Sequence, residues 1–255
     1  MTTTPRKLHR KTTMTRDVES ARVPDLPALG TVLTVWAHPD DEAYLVGGLL
    51  ALLTDAGQRA VCVTATRGEA ADPDALPAER AALAALRTEE LEAALAILGV
   101  TEHHWLDQPD GGCAHVDPTG PVGRLLALLD DVRPDTVITF GPDGFTGHPD
   151  HRTVSAWVDR ALRGSRVSPR LLHAVAPAEQ VDPALDEDFG VFALGRPREC
   201  EEDEAVLRLA VTGTTLDRKV EALLRQVSQT GGLVTAVGPA RFRAWVSSES
   251  FAPPR

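Results

Sequence analysis

The chain has 255 residues, of which 43% are hydrophobic and 25% charged, and its formal net charge at pH 7 is −11. This composition is typical of a globular protein and excludes a disordered or fibrous class. The negative charge argues against partners that a basic face must neutralise, so we expect neither nucleic acid nor a membrane surface as a partner. The three cysteines lie far apart in the chain and indicate neither a disulfide framework nor a thiolate metal site: Cys62, Cys113 and Cys200.

The first residues predict a tail rather than part of a fold. They include basic side chains but lack the apolar segment of about 7 to 15 residues that a secretory signal needs. We therefore predict that residues 1–28 form a disordered tail and that residues 29–255 form a single domain. The location expected from this pattern is cytoplasmic, and either Met1 or Met14 is the true start.

From residue 31 onward, apolar runs rich in Val, Ile and Thr alternate with segments of helical period. The strands are predicted at 31–37, 60–66, 103–106, 135–140, 171–176 and 205–211, and the helices at 77–99, 120–132, 149–164 and 214–229. The stretch 178–204 is predicted as surface loop with short strands. Alternation of this kind favours βαβ units. The predicted fold class is α/β: a Rossmann-like, mostly parallel sheet with helices on both faces.

A cluster of polar residues, AHPDDE (37–42), follows the first predicted strand directly. Open α/β sheets bind ligands at the carboxyl ends of their strands, so this turn falls where chemistry is expected. Helix capping explains the acids equally well, because Asp40 and Asp41 suit the positive end of a helix dipole. It does not explain His38.

A second cluster, GHPDH (147–151), follows the strand predicted at 135–140 and carries His148, Asp150 and His151. Two His-Pro-Asp turns at strand ends meet at one edge of the sheet. Their imidazoles and carboxylates suit a divalent metal, and catalytic zinc takes three such ligands and leaves one position for water. Spacing alone leaves open whether His148 or His151 is a ligand, and likewise Asp40 or Asp41.

With both motifs intact and in order, the chain resembles the PIG-L/LmbE family of zinc-dependent N-deacetylases, which includes relatives of the mycothiol-pathway enzymes. The resemblance extends through TRGEA (66–70), LDQPDG (106–111) and KVEALLRQVSQ (219–229). It implies a metal-dependent amidohydrolase that removes an N-acyl group, foremost N-acetyl, from an amino sugar or a natural-product intermediate. The implied cofactor is zinc, with another divalent ion such as Fe²⁺ as the alternative.

The resemblance also implies a role for each motif residue. The implied zinc ligands are His38, Asp41 and His151, while Asp40 is the implied general base. His148 would stabilise or protonate the reacting amide, and Asp150 would orient His148. Arg67 and Asp110 match positions at which relatives contact a sugar, and either residue alternatively braces its loop. Some relatives carry a tyrosine directly before the Gly-His of the second motif, where this chain has Thr146.

Two other functions remain open at this point. One is a catalytically silent α/β module that binds a small molecule, against which the intact Asp40 and His148 argue. The other is a non-haem iron oxygenase with two histidines and one carboxylate. The absence of GxGxxG, GxSxG and HExxH motifs disfavours dinucleotide binding and two further hydrolase classes. The sequence is compatible with a homo-oligomer.

Overall fold

The structure is a computed structural model that describes residues 25–72, 74–177, 187–200 and 204–255. Most of the predicted tail, with Met1 and Met14, lies outside the described residues, as do parts of the predicted loop 178–204. The last residues of the predicted tail enter a 3₁₀ turn, Leu26–Leu29. Gln58 Nε2 donates to the carbonyl of Leu26 at 2.9 Å and thereby holds this turn against the domain.

Nine strands are present among the described residues: β1 (Val32–Trp36), β2 (Ala60–Thr64), β3 (Glu102–Trp105), β4 (Thr136–Phe140), β5 (Arg170–Ala174), β6 (Ala176–Pro177), β7 (Glu199–Cys200), β8 (Leu207–Ala210) and β9 (Ser248–Ala252). Seven of them form one sheet in the order β3-β2-β1-β4-β5-β9-β8, while β6 and β7 pair separately. Strands β1 to β5 are parallel, and β9 runs antiparallel to both of its neighbours. The fold is therefore the predicted mostly parallel α/β sheet.

The strand order reverses between β1 and β4. Strand β1 pairs with β2 on one side and with β4 on the other, so that Val32 lies between Ala60 and Thr136. All residues of β1, β2 and β4 are buried, as expected for strands covered on both faces. Such a reversal leaves a crevice at the carboxyl ends of the two central strands.

The helices that cover the sheet are α1 (Asp41–Asp55), α2 (Pro77–Leu98), α3 (Thr119–Val132), α4 (Gly144–Gly147), α5 (Pro149–Gly164), α6 (Gly213–Arg225), α7 (Val227–Val237) and α8 (Pro239–Trp245). Helices α1, α2 and α6 pack against one another, and α3 packs against α5. As predicted, α2 ends at Gly99, which has a left-handed φ of 80° that glycine adopts without strain. No helix within the described part of the chain is long and apolar enough to cross a bilayer.

The structure corrects the prediction at three places in the second half of the chain. The single helix predicted at 214–229 is two helices, because Gln226 leaves the helical conformation (φ −89°, ψ 49°). The strand predicted at 171–176 stops at Ala174, and Ala176 pairs with β7 instead. Strand β9 and helix α8 lie beyond residue 229, where the sequence analysis predicted no element.

Candidate metal centre

The two His-Pro-Asp turns meet in the crevice between β1 and β4. The first turn follows β1 and delivers His38, with Asp41 in the first turn of α1. The second follows β4, where His148 is the N-cap of α5 and His151 lies in its first turn. Parallel strands carry both turns to the same edge of the sheet, which is the reason that residues more than a hundred positions apart become neighbours.

Three donor groups converge at this point. The Nδ1 atom of His38 lies 3.1 Å from His151 Nε2. Asp41 faces both rings, with Oδ1 3.5 Å from His151 Nε2 and Oδ2 3.7 Å from His38 Nδ1. Zinc binds nitrogen and oxygen at roughly 2.0–2.2 Å, which places neighbouring ligands of a tetrahedron about 3.3 Å apart. The 3.1 Å between the two ring nitrogens is close to this value, whereas the two rings face different oxygens of Asp41, so the three groups form a candidate site for a divalent cation.

The ring of His151 is held in the form that a metal ligand needs. It stacks on Phe140 at 4.2 Å between centroids, and its Nδ1 donates to the carbonyl of Gly144 at 2.9 Å. Burial lowers the pKa of His151 to about 4, so the ring is neutral at pH 7. The lone pair of Nε2 then faces His38 and Asp41, as in metal sites where a hydrogen bond at one ring nitrogen orients the other.

Carboxylates surround His38 on its opposite side. Its Nε2 lies 3.0 Å from Asp110 Oδ1 and 3.3 Å from Asp150 Oδ2. Burial alone would lower the pKa of His38, but hydrogen bonds to these two carboxylates and the charge of Asp41 outweigh burial and raise it to about 10. Metal binding through Nδ1 requires the His38 ring to give up the proton at that nitrogen, and the charge of the bound cation would then pair with the surrounding carboxylates in place of that proton.

Asp40, which directly precedes Asp41, has a strained backbone. Its φ of 113° is unusual for a residue with a side chain, and its N–H donates to Glu42 Oε2 at 3.0 Å. Arg87 Nη2 lies 3.7 Å from Asp40 Oδ2. Burial raises the pKa of Asp40 to about 7 although Arg87 acts in the opposite direction. A carboxyl with a pKa near neutrality suits a general base.

His148 and Asp150 are linked through the backbone. The N–H of Asp150 donates to His148 Nδ1 at 3.2 Å, so the proton of a neutral ring is on Nε2. Burial lowers the pKa of His148, and the charge of His38 lowers it further. The carboxylate of Asp150 accepts from Gly111 N at 2.7 Å and Cys113 N at 3.1 Å, and it faces His38 rather than His148.

Sequence spacing left open whether His148 or His151 is the metal ligand, and the distance of each ring from His38 does not decide between them. Ligand atoms of His38, His148 and His151 all lie within 4.8 Å of one another, and so do those of His38, Asp110 and Asp150. His38 belongs to both groups. Of the two later histidines, His151 is the one whose ring nitrogen is also near Asp41.

The structure separates the two residues predicted to contact a sugar. Asp110 joins the site, where it faces His38 and accepts from Ala70 N at 2.7 Å. Arg67 instead pairs with Asp107 at 2.9 Å and lies 4.0 Å above the ring of Trp105. It is not among the residues that line the cavity at the metal centre. Arg67 therefore braces the loop behind the site.

The supporting roles of three residues were not identified from the sequence. Buried Arg87 donates to the carbonyls of Gly68 and Pro39 beside Asp40. Glu42, which orients the Asp40 peptide, in turn accepts from Gln226 Nε2 at 2.6 Å. A signal for Arg87 exists, because it lies four positions before Leu91 on the apolar face of α2. No comparable signal marks Gln226.

Comparison with known proteins gives a family match and two similar relatives. Residues 33–162 match a family model described as PIG-L: GlcNAc-PI de-N-acetylase. The 1D-myo-inositol 2-acetamido-2-deoxy-alpha-D-glucopyranoside deacetylase of Kineococcus radiotolerans is 33% identical over 180 residues, covering 58% of this chain and 50% of that protein. The protein of the same name from Actinosynnema mirum is 33% identical over 237 residues, covering 80% of this chain and 82% of that protein. The matched part thus spans half of one relative and most of another.

Among solved structures, the N,N'-diacetylchitobiose deacetylase from Pyrococcus horikoshii, complexed with its inhibitor MPG, has the same fold. Its TM-score is 0.58 at 20% identity, with 87% of this chain and 82% of that chain covered. At this identity the likeness concerns the fold alone.

Proposed function

The chain belongs to the PIG-L family, and from that premise we propose that it is a zinc-dependent hydrolase of the N-acyl group of an amino sugar or a related natural-product intermediate. The relatives named above are deacetylases of acetamido sugars, which supports the N-acetyl group as the first to test. The observation that carries the proposal is the convergence of His38, Asp41 and His151 directly beside Asp40 and His148.

The residues that would hold the zinc are His38, Asp41 and His151. Backbone N–H groups of Ala37 and His38 donate to Asp41 Oδ2 at 3.2 and 2.8 Å, which fixes this carboxylate in place. When bound, zinc polarises an amide carbonyl and lowers the pKa of water toward about 7. The same donors suit Fe²⁺, so the choice of zinc rests on the family and is part of the proposal.

Asp40 is placed to take the proton of the attacking water. Its pKa near 7 leaves a large fraction of the carboxyl ionised at neutral pH and still able to accept a proton. Arg87 fixes the position of Asp40, and Glu42 holds its peptide. Such a proton transfer contributes roughly 10²- to 10⁴-fold to the rate.

The ring of His148 lies beside that of His38, with ring centroids 4.8 Å apart. Because Asp150 N occupies its Nδ1, the Nε2–H is free to donate to the oxyanion that forms on the acyl carbon. The departing nitrogen takes its proton from Asp40, which has received it from the attacking water, because a neutral His148 ring would have to become an imidazolate to supply it. We assign to Asp110, whose carboxylate reaches the cavity, the contact with a sugar hydroxyl, and to Arg67 the support of its loop.

Two measurements test the proposal. The first is the metal content of the purified protein by mass spectrometry, for which we expect stoichiometric zinc in the wild type, loss in His151→Ala and retention in the control His115→Ala, an exposed histidine. The second is acetate release from N-acetylated amino sugars, with Asp40→Asn keeping the zinc and losing roughly 10²- to 10⁴-fold in rate.

Other results would contradict the proposal. A protein that takes up no metal after dialysis against zinc is a silent binding module. Iron with oxygen consumption in place of acetate release would identify an oxygenase instead. Full activity of Asp40→Asn would remove Asp40 from the mechanism while leaving the metal site intact.

A further inference from the structure

The cavity that contains the metal centre extends well beyond it. Its volume is about 450 Å³, and part of its wall is apolar. We call this wall the apolar annex and define it by Tyr44, Leu45, Phe192, Leu233, Trp245 and Val246. The annex is contributed by α1, by the middle of α7, by the end of α8 and its following residue, and by the segment that contains Phe192. It is continuous with the site where the amide would react.

The charged side chains that line the cavity are concentrated at the metal centre. Most of those that line it belong to the metal centre and its surroundings: His38, Asp40, Asp41, Arg87, Asp110, His148 and His151. The exception is Glu249, and its oxygens are already used. They accept from Gly48 N at 2.6 Å, Leu49 N at 2.9 Å and Lys219 Nζ at 2.7 Å. No lining charge among the described residues is therefore left for a ligand in the annex.

The annex is a preformed wall because its aromatic rings support one another. The ring of Tyr44 lies 6.0 Å from Trp245 and 6.2 Å from Phe242, and Phe242 lies 6.3 Å from Trp245. Phe242 itself is 1% exposed and anchors the cluster in the core. Rings packed in this way present a fixed apolar surface at little cost in side-chain entropy.

Resting on the proposed function, we propose that the substrate carries an apolar substituent of several carbons and that the annex binds this substituent while the amide lies at the metal centre. The neutral polar side chains near the annex are Gln229, Ser248 and Ser250. Against Leu233 and Trp245, most hydroxyl groups of a second sugar or a cyclitol would lose their hydrogen bonds to water without replacement, which disfavours binding there. An alkyl or aryl group would instead gain about fourfold in binding for each methylene removed from water.

The apolar substituent can belong either to the acyl group or to the aglycone of the substrate, and two series of compounds distinguish these positions. The acyl series is N-acetyl-, N-butyryl- and N-hexanoylglucosamine. The aglycone series is the methyl, butyl and hexyl glycosides of N-acetylglucosamine. The measured quantity is kcat/KM for release of the carboxylic acid by the zinc-loaded full chain. We expect a rise of about tenfold or more along one series.

Each outcome has a distinct meaning. A rise along the acyl series supports a longer acyl chain as the occupant, and a rise along the aglycone series supports an apolar aglycone. Hydrolysis of N-acetylglucosamine with no rise along either series overturns the inference and leaves the proposed function standing. Failure to hydrolyse any compound overturns the proposed function and the inference with it.

A pair of leucine variants links the preference to the annex. Leu233→Asn places an amide in the annex, and we expect the ratio of kcat/KM between the longest and shortest compound of the rising series to fall about fivefold or more. The matched control is Leu224→Asn on α6, a leucine that is 46% exposed and does not line the cavity, for which the ratio stays as in the wild type. Leu233→Ala, a milder change, gives a second reading should the asparagine variant fold poorly. A ratio that is unchanged in a folded Leu233 variant overturns the inference.

Discussion

A buried ion pair ties three elements of the fold together, and its removal has a calculable effect. Lys219 on α6 and Glu249 on β9 have fully buried side chains, with Nζ 2.7 Å from Oε1. Lys219 Nζ also donates to the carbonyl of Tyr44 at 2.8 Å, while Glu249 accepts from the N–H groups of Gly48 and Leu49. The pair thus joins α6 and β9 to α1, the helix that begins with Asp41.

Lys219→Met removes the charge and keeps most of the apolar stem. It leaves the Glu249 carboxylate buried without its counter-ion, for which the expected loss in the free energy of unfolding is about 3–5 kcal/mol. In the double variant Lys219→Met/Glu249→Gln no uncompensated charge remains. We expect this variant to lose less than Lys219→Met alone, about 1–3 kcal/mol, because a neutral amide still offers an acceptor to one of the two helix N–H groups.

The assay is urea unfolding with linear extrapolation to water, followed by two spectroscopic probes to establish two-state behaviour. Arg225→Met on the same helix is the matched control, since Arg225 and Glu221 are 60% and 57% exposed and lie 3.8 Å apart. Such a surface pair contributes less than about 1 kcal/mol. The reasoning is refuted if Lys219→Met costs no more than the control, or if the double variant loses the sum of its two single variants.

Three further predictions concern the site and its scaffold. Arg87→Met should lower kcat about tenfold or more while zinc content is retained, because Arg87 contacts Asp40 and not the donor set. Steady-state kinetics together with metal analysis checks this prediction, and an unchanged kcat would contradict it. His103 should make the fold sensitive to acid: burial lowers its pKa from 6.5 to about 4, so the unfolded chain binds more protons between these values and stability falls as the pH decreases through them. Urea unfolding at about pH 7.5 and pH 5.5 should show His103→Asn losing about 1 kcal/mol less than the wild type over this interval, and equal losses would count against the pKa. Gly147→Ala should destabilise the protein by about 1–3 kcal/mol, since Gly147 has φ +77° and a Cβ there would overlap the carbonyl of Leu194. The control Gly123→Ala in α3, where a Cβ meets nothing within 4 Å, should stabilise the protein by up to about 1 kcal/mol. Thermal melts in which the two variants shift in the same direction would refute this.

The sequence by itself determined the local elements and the end of the sheet at which the site lies. Runs such as VLTVW and TVITF are apolar at every position or β-branched, which predicts fully buried parallel strands, and β1 and β4 confirm this. The motifs that follow these two strands were sufficient to identify the family, which the comparisons confirm. The roles of the individual motif residues stay predictions until the variants above are measured.

Only the tertiary structure decided which distant residues support the site. Gln226 breaks a helix to reach Glu42, which lies 184 positions earlier in the chain, and no pattern near either residue indicates the pairing. Likewise, the loop after β3 brings Asp110 to His38, while Arg67 turns away to Asp107. The sequence predicts the same role for Asp110 and Arg67, and only the packing of their loops shows that one lies in the site and the other outside it.

The apolar annex is likewise defined by the tertiary structure and not by any pattern in the sequence. Its residues come from α1, from α7 and α8 and from the segment around Phe192, elements that are far apart in the chain and carry no shared motif. Periodicity along a chain records the conformation and the buried face of each element, because these depend on neighbours three or four positions away. Which faces meet, and what space they enclose, depends on contacts between remote elements, and therefore only the folded chain defines the part of the cavity that selects a substrate.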